Sequence, residues 1–188
     1  MPKRKILVVI GSPRKKGNCS ILVDRLEEGA ALGEATVERV WLHELDMRPC
    51  NACGLCKDAD DKDCVLDDDM RQVYPKIRAA DAVVIVSPIY WWNISAQTKL
   101  FIDRCDALDG PSGNVLGTKR MAVMLVYGGS DAFSSGGVNA LRAFQDAFRY
   151  IGSDVVGMVH GSAWEAGAVL NNETLLQQAH ELGRKLAT

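Results

Sequence analysis

Four cysteines, Cys50, Cys53, Cys56 and Cys64, lie within RPCNACGLCKDADDKDC at C-x2-C-x2-C-x7-C spacing. Two-residue gaps let successive thiolates turn toward one small centre, and the longer gap lets the chain double back with the fourth, as a metal ion or an iron-sulfur cluster requires. A four-cysteine zinc site and a set of reduced, idle thiols fit the same residues. Disulfides fit least, because MPKRKILVVIGS runs from a short apolar stretch into a turn with no cleavage site, which predicts a reducing, cytoplasmic location.

A second chemistry-bearing stretch is GSPRKKGNCS, Gly11 to Ser20, directly after an apolar run and before a helical pattern. Its backbone N–H groups, the hydroxyls of Ser12 and Ser20, the Asn18 amide and a helix N-terminus suit a phosphate, and Arg14 adds a planar fork. Asn18 also reads as the helix N-cap. The spacing is neither G-x-x-x-x-G-K-[ST] nor G-x-G-x-x-G, and a plain polar turn is the alternative.

Two further loops carry candidates. In SPIYWWNIS, Ser87 to Ser95, the aromatic residues Tyr90, Trp91 and Trp92 can cover a planar ring while Asn93 and backbone amides make polar contacts. One of the two tryptophans is expected to serve core or subunit packing instead. YGGSDAFSSGG is rich in glycine and is expected on the same edge.

The elements that must position these loops follow from hydrophobic runs. KILVVI, AVVIV and MAVMLVY are unbroken apolar stretches, as strands buried on both faces of a parallel sheet require, and TVERVW and DVVGMV are weaker ones. Helical patterns fall between them, at 19–32, 70–80, 95–105, 138–150 and 173–186. In the first, Leu22, Leu26 and Gly29 share a face.

The alternation predicts a doubly wound α/β fold, a five-stranded parallel sheet of order 2-1-3-4-5. Ligands then sit where the winding reverses, between strands 1 and 3. The 188 residues read as one domain, 1–188, with a cysteine-rich loop insertion at about 42–69 that is too long for an ordinary connection.

Composition removes other classes. A formal net charge of -2 supplies no field to collect nucleic acid, and no apolar run approaches the length of a membrane span. His43, His160 and His180 are scattered with no acid or nucleophile at motif spacing, so no hydrolase and no side-chain catalytic set is expected.

Together, GSPRKKGNCS, DDDMRQVYPKIRAADAVVIVSPIYWWNISAQTKLFIDR and VYGGSDAFSSGGVNAL resemble the NADPH-dependent FMN reductase family of the flavodoxin-like superfamily. The cysteine segment is similar to the iron-sulfur flavoprotein branch. The resemblance implies a noncovalent FMN with Ser12, Arg14, Gly17, Asn18 and Ser20 around its phosphate. Pro88, Ile89, Tyr90, Trp91 and Asn93 would lie along the ribityl chain and ring, and Gly128 and Gly129 beside the ring edge. Cys19 stands where relatives carry Ser or Thr.

The same resemblance implies a [4Fe-4S] cluster on Cys50, Cys53, Cys56 and Cys64, and a homodimer or homotetramer. The expected activity is FMN-dependent oxidoreduction between a reduced donor, NAD(P)H acting transiently or ferredoxin, and a small-molecule or protein acceptor. A plain NAD(P)H-dependent FMN or quinone reductase with no cluster is the alternative, followed by an electron carrier and a zinc-stabilised interaction protein.

Asp58, Asp60, Asp61, Asp63, Asp67, Asp68 and Asp69 crowd the last of the four cysteines, where negative charge would lower a cluster's potential. Asp67 to Asp69 read as solvated residues at a helix start. Cys105 falls on an apolar helix face and reads as core.

Overall fold

The computed structural model describes residues 3–188. Five long strands, β1 (Lys5–Ile10), β2 (Thr36–Trp41), β3 (Ala82–Tyr90), β4 (Arg120–Tyr127) and β5 (Asp154–Ser162), form a parallel sheet in the order β2-β1-β3-β4-β5. The helices are α1 (Asn18–Ala31), α2 (Met70–Ala79), α3 (Ala96–Arg104), α4 (Gly137–Ile151) and α5 (Glu173–Ala187).

The unbroken apolar runs are the three central strands, whose side chains are buried on both faces. The weaker runs are the two edge strands, where alternate residues meet water and need not be apolar. On one face, Leu22, Leu26 and Ala30 of α1 and Leu175, Ala179 and Leu182 of α5 cover Ile6, Val8, Val84 and Met124. On the other, Val73, Tyr74 and Ile77 of α2, Phe101 of α3 and Phe144 and Phe148 of α4 cover Leu7, Val83, Ile85 and Val123. Cys105 is buried in this second core.

The connection between β2 and α2 holds two single 3-10 turns, Leu42–Glu44 and Leu55–Lys57, and otherwise no regular structure. All five strands are parallel, so the loops after β1, β3, β4 and β5 leave the carboxyl ends and share one edge of the sheet, whereas the long connection 105–119 runs from α3 to the amino end of β4. Among the described residues no helix is long and apolar enough to cross a membrane.

Candidate functional site

The carboxyl ends of β1 and β3 are joined by a buried hydroxyl network. Ser95 Oγ donates to Gly11 O at 2.8 Å, Ser95 N donates to Ser87 Oγ at 3.0 Å, and Thr98 Oγ1 lies 2.8 Å from Ser95 Oγ. A Cβ on Gly11 would lie 1.8 Å from Thr98 Oγ1, so only glycine lets the first loop approach α3 this closely. No motif announced this junction, because it is a contact between residues 84 apart in sequence.

From that junction residues 12–17 lead into α1. Its N-cap is Gly17, and no side chain caps it. Among the described residues, no backbone carbonyl accepts from the N–H groups of Asn18, Cys19 or Ser20, so the first turn of the helix presents a row of donors. Lys15 is engaged by an ion pair with Glu44 and sits 5.4 Å over the Trp41 ring. Arg14 makes no side-chain hydrogen bond or ion pair among the described residues and is the loop cation that lines the adjoining cavity.

The side chains assigned to phosphate differ from expectation in part. Asn18 is not the N-cap: its Nδ2 donates to Ala163 O at 3.0 Å and Glu165 O at 2.8 Å, and its Oδ1 accepts from Val169 N at 3.2 Å. Ser20 Oγ donates to Lys15 O at 2.6 Å, and Ser12 Oγ accepts from Arg14 N at 3.3 Å. These hydrogen bonds shape the loop, while Ser12, Arg14 and Asn18 all line the adjoining cavity. Cys19 is fully buried, and burial pushes its thiol up to about 12 although the Ser12 hydroxyl pulls the other way.

A cavity of about 230 Å³ opens beside this loop, between Ser12, Arg14, Pro88, Ile89, Tyr90 and Gly128 and their neighbours. Tyr127, Trp164 and Glu165 also line it. The contribution of the β5–α5 loop was missed in the sequence; the available signal was an aromatic residue, Trp164, soon after the fifth strand. A larger apolar cavity of about 560 Å³ lies between α3, α4 and the sheet, lined by Cys50, Phe101, Phe144 and Phe148 among others. The smaller one is the candidate site, because it combines an unpartnered cation, open backbone donors and aromatic walls at the winding reversal.

The loop after β3 is a tight hairpin. β3 runs on to Tyr90, Ile89 pairs with Ile94 and Tyr90 with Asn93, and Trp91 and Trp92 are the two turn residues with φ of 49° and 61°. That left-handed backbone is the geometry in which Asn-Gly is usual. Neither tryptophan is in the core of the chain: Trp91 is 91% exposed and Trp92 56%. Trp92 Nε1 donates to Ser134 O at 2.9 Å, which docks the hairpin on the β4–α4 loop. Trp91 does not line the cavity, and Asn93 turns its Oδ1 back onto Ile94 N at 2.8 Å. Gly128 lines the cavity, whereas Gly129 sits against Ser134 and Ser135.

The cysteine loop is anchored unevenly. Lys57 Nζ donates to Asp106 O at 2.8 Å and pairs with Asp109 at 3.0 Å, Arg78 pairs with Asp63 at 3.0 Å, and Ser112 donates from N and Oγ to Asp60 at 2.8 and 2.7 Å. Cys56 and Cys64 are half-buried against the core, while Cys50 and Cys53 are exposed. Among the described residues no three Cys, His, Asp or Glu side chains converge as a metal centre. The donor set has cluster chemistry, but its arrangement here does not fit a cluster.

The acidic residues are also less free than expected. Asp58 pairs with Lys62 and Asp67 with Arg71, each at 2.6 Å. Asp68 is not solvated: it is buried against Arg104 and accepts from Arg48 N at 2.9 Å and Met70 N at 3.1 Å.

Residues 4–167 match the NADPH-dependent FMN reductase family. An iron-sulfur flavoprotein of Methanosarcina thermophila is 34% identical over 153 residues, which is 81% of this chain and 77% of the relative. Two other archaeal iron-sulfur flavoproteins match over 100 residues, and there the match spans 51% and 44% of the relative's length. Among solved structures, an NAD(P)H:quinone oxidoreductase from Methanothermobacter marburgensis superposes with a TM-score of 0.77 at 17% identity, covering 100% of this chain and 98% of that one. A flavodoxin from the domain Archaea gives 0.57 at 14% identity, covering 97% and 96%. The fold is flavodoxin-like.

Proposed function

The chain belongs to the NADPH-dependent FMN reductase family, and from that premise we propose that it is an FMN-dependent oxidoreductase carrying electrons from a reduced donor, NAD(P)H or ferredoxin, to a small-molecule or protein acceptor. One observation carries this reading: the open N–H row of Asn18, Cys19 and Ser20 and the unpartnered Arg14 meet a cavity with aromatic walls at the reversal crevice.

The residues present fit FMN. Arg14 and the first turn of α1 hold its phosphate by charge and directed donors. Pro88, Ile89 and Gly128 line the way out to Tyr90 and Trp164, whose faces suit a flat ring. Once bound, FMN supplies two-electron uptake with release of electrons one at a time, which no side chain provides. Donor and acceptor then use one cavity in turn, and ping-pong kinetics follow.

The finer part of the proposal is a [4Fe-4S] cluster on Cys50, Cys53, Cys56 and Cys64. The compact spacing and the likeness to iron-sulfur flavoproteins support it. Holding one would require at least three of these thiols to converge. The second reading is a plain NAD(P)H-dependent FMN or quinone reductase with no cluster, and membership of the FMN reductase family supports it equally.

The deciding experiment is an absorption spectrum with FMN and iron analysis on protein prepared without air and passed through gel filtration after incubation with excess FMN. Stoichiometric FMN supports the oxidoreductase reading, and none retained would sink it. Iron and sulfide near four per chain distinguish the first reading from the second.

A further inference from the structure

The cavity of about 560 Å³ between α3, α4 and the sheet shares no lining residue with the candidate FMN site. Its floor is Val83, Ile85 and Met121 of the central strands, all buried. Its walls are Phe101 of α3 and Phe144 and Phe148 of α4, the last two with ring centroids 5.6 Å apart and planes tilted by 35°. The volume is that of a small-ligand site, and a floor lying at the sheet, beneath two packed helices, is out of reach of a second copy's helix about 10 Å across.

The polar groups around it set the charge of what can enter. Asp103 pairs with Lys99, and Asp106 with Lys57 at 2.9 Å, so both carboxylates already have cations. No lysine, arginine or histidine is among the lining residues. Asn114 Oδ1 accepts from Leu116 N at 2.9 Å, and among the described residues its Nδ2 makes no hydrogen bond. An anion would give up hydration here without gaining a counter-charge, whereas a neutral molecule with one carbonyl or hydroxyl loses little.

Pro49, Cys50 and Ala52 bring the cysteine loop to the same cavity. The loop is fastened at Arg48 by Arg104 and at Lys57 by Asp106 and Asp109. Between those points residues 49–54 hydrogen-bond only to one another and to the turn that follows, among the described residues. A stretch tied at both ends and free in the middle shifts at low cost to accommodate a guest.

We propose that this cavity is a second ligand site, taking one neutral aromatic molecule that carries a single carbonyl or hydroxyl group, and that the bound ring covers Cys50. The ring packs against Phe144 and Phe148, and occupancy governs access to the first thiol of the cysteine loop. Because the two cavities share no residue, this site does not depend on the FMN reading.

The test is equilibrium dialysis of FMN-loaded protein at pH 7 against 1-naphthol, with 1-naphthoate as an anion on the same ring system. One 1-naphthol should bind per chain, and 1-naphthoate should bind about tenfold more weakly or worse. Ala147 lines the cavity and is exposed, so Ala147→Trp fills the space from outside the core. It should weaken 1-naphthol about tenfold and leave FMN content unchanged. In metal-free protein, saturating 1-naphthol should slow alkylation of Cys50 by iodoacetamide about fivefold and spare Cys53, which does not line the cavity.

Wild-type protein that takes up no 1-naphthol overturns the inference, whether the mouth is closed by a second copy or by the loop. Equal affinity for the two naphthalenes, binding that Ala147→Trp leaves intact, or binding that shifts the FMN absorption band would each overturn it too, the last by placing the ring on the flavin. Equal protection of Cys50 and Cys53 would remove the link to the thiols. Cys50 protection is read on the wild-type chain and answers the question even if Ala147→Trp fails to fold. Failure to retain FMN would sink the oxidoreductase reading alone.

Discussion

Arg104 and Asp68 form an ion pair with side chains 0% and 2% exposed, beneath the two ends of the cysteine loop. The guanidinium also donates to Arg48 O at 2.7 Å, and Tyr74 Oη donates to Arg104 O at 3.0 Å. Arg48 precedes the first loop cysteine and Asp68 follows the last, so a single residue of α3 clasps both ends. Among the described residues Arg104 Nε has no acceptor, which limits the net worth of the pair. Deleting one partner is a different matter. Arg104→Leu leaves a carboxylate buried without a cation and should cost about 3 to 5 kcal/mol. Urea unfolding checks this; a loss under about 1 kcal/mol would show that water reaches Asp68 once the arginine is gone.

The same pair sets a pH dependence. Burial raises the Asp68 pKa, but the Arg104 guanidinium and the N–H groups of Arg48 and Met70 outweigh it, so the carboxyl sits below its ordinary value. A depressed folded value contributes stability that is present above the unfolded pKa, about 3.9, and lost as pH falls through the folded one. Stability should therefore drop below about pH 4, and Asp68→Asn protein should lose less of its own stability between pH 7 and 3. Parallel curves for the two proteins would contradict this.

Arg14→Ala should weaken FMN binding by about 1.5 to 3 kcal/mol, the scale of a hydrogen bond to a charged group. Lys15→Ala should do much less, because Lys15 is already paired with Glu44. Fluorescence titration of apoprotein measures both. Equal losses would mean that the Lys15 pair opens for the ligand.

Thiol chemistry separates the cysteines. In metal-free native protein Cys50 and Cys53 should alkylate first, Cys56 more slowly because burial raises its pKa, and Cys19 and Cys105 only on unfolding, burial holding both as thiols. Peptide mass spectrometry reads the order. On the cluster proposal, Cys53→Ala loses iron and sulfide but keeps FMN; full retention of iron rules the loop out as its site.

Trp91 holds a left-handed backbone while almost fully exposed. Strain of this kind costs about 1 kcal/mol or more for a bulky residue, whereas asparagine tolerates the region. Trp91→Asn should raise Tm by about 2 to 4 °C. A lower Tm would reveal that a second copy or another partner buries Trp91 in solution.

Much of the fold was legible because each of its determinants is local. Lys5–Ile10 and Thr36–Trp41 have the bounds their apolar runs announced, and Glu173–Ala187 extends its expected helix by one residue. Strands buried on both faces must be continuously apolar, and helices must repeat at about 3.6 residues, so both leave a trace in a single stretch of chain. The loop from 42 to 69 was visible for the converse reason, as a stretch with neither period. Harder to read were turns whose residues break local preference. Trp91 and Trp92 carry no turn signal, and only the pairing of Tyr90 with Asn93 shows them as the tip of a hairpin.

By itself, then, the sequence determined the order of strands and helices, the polar loop between the first strand and the first helix, and the presence of four thiols at cluster spacing, all properties of residues close together along the chain. Tertiary structure decided which atoms are left to act. Asn18 is drawn off to Ala163 and Glu165, Asp68 to Arg104, and Lys15 to Glu44, while Trp164 arrives at the cavity from the far end of the chain. Hydrogen-bond capacity and charge are spent on whatever partner lies within about 3 Å, and which partner that is depends on contacts between distant segments that no local pattern records.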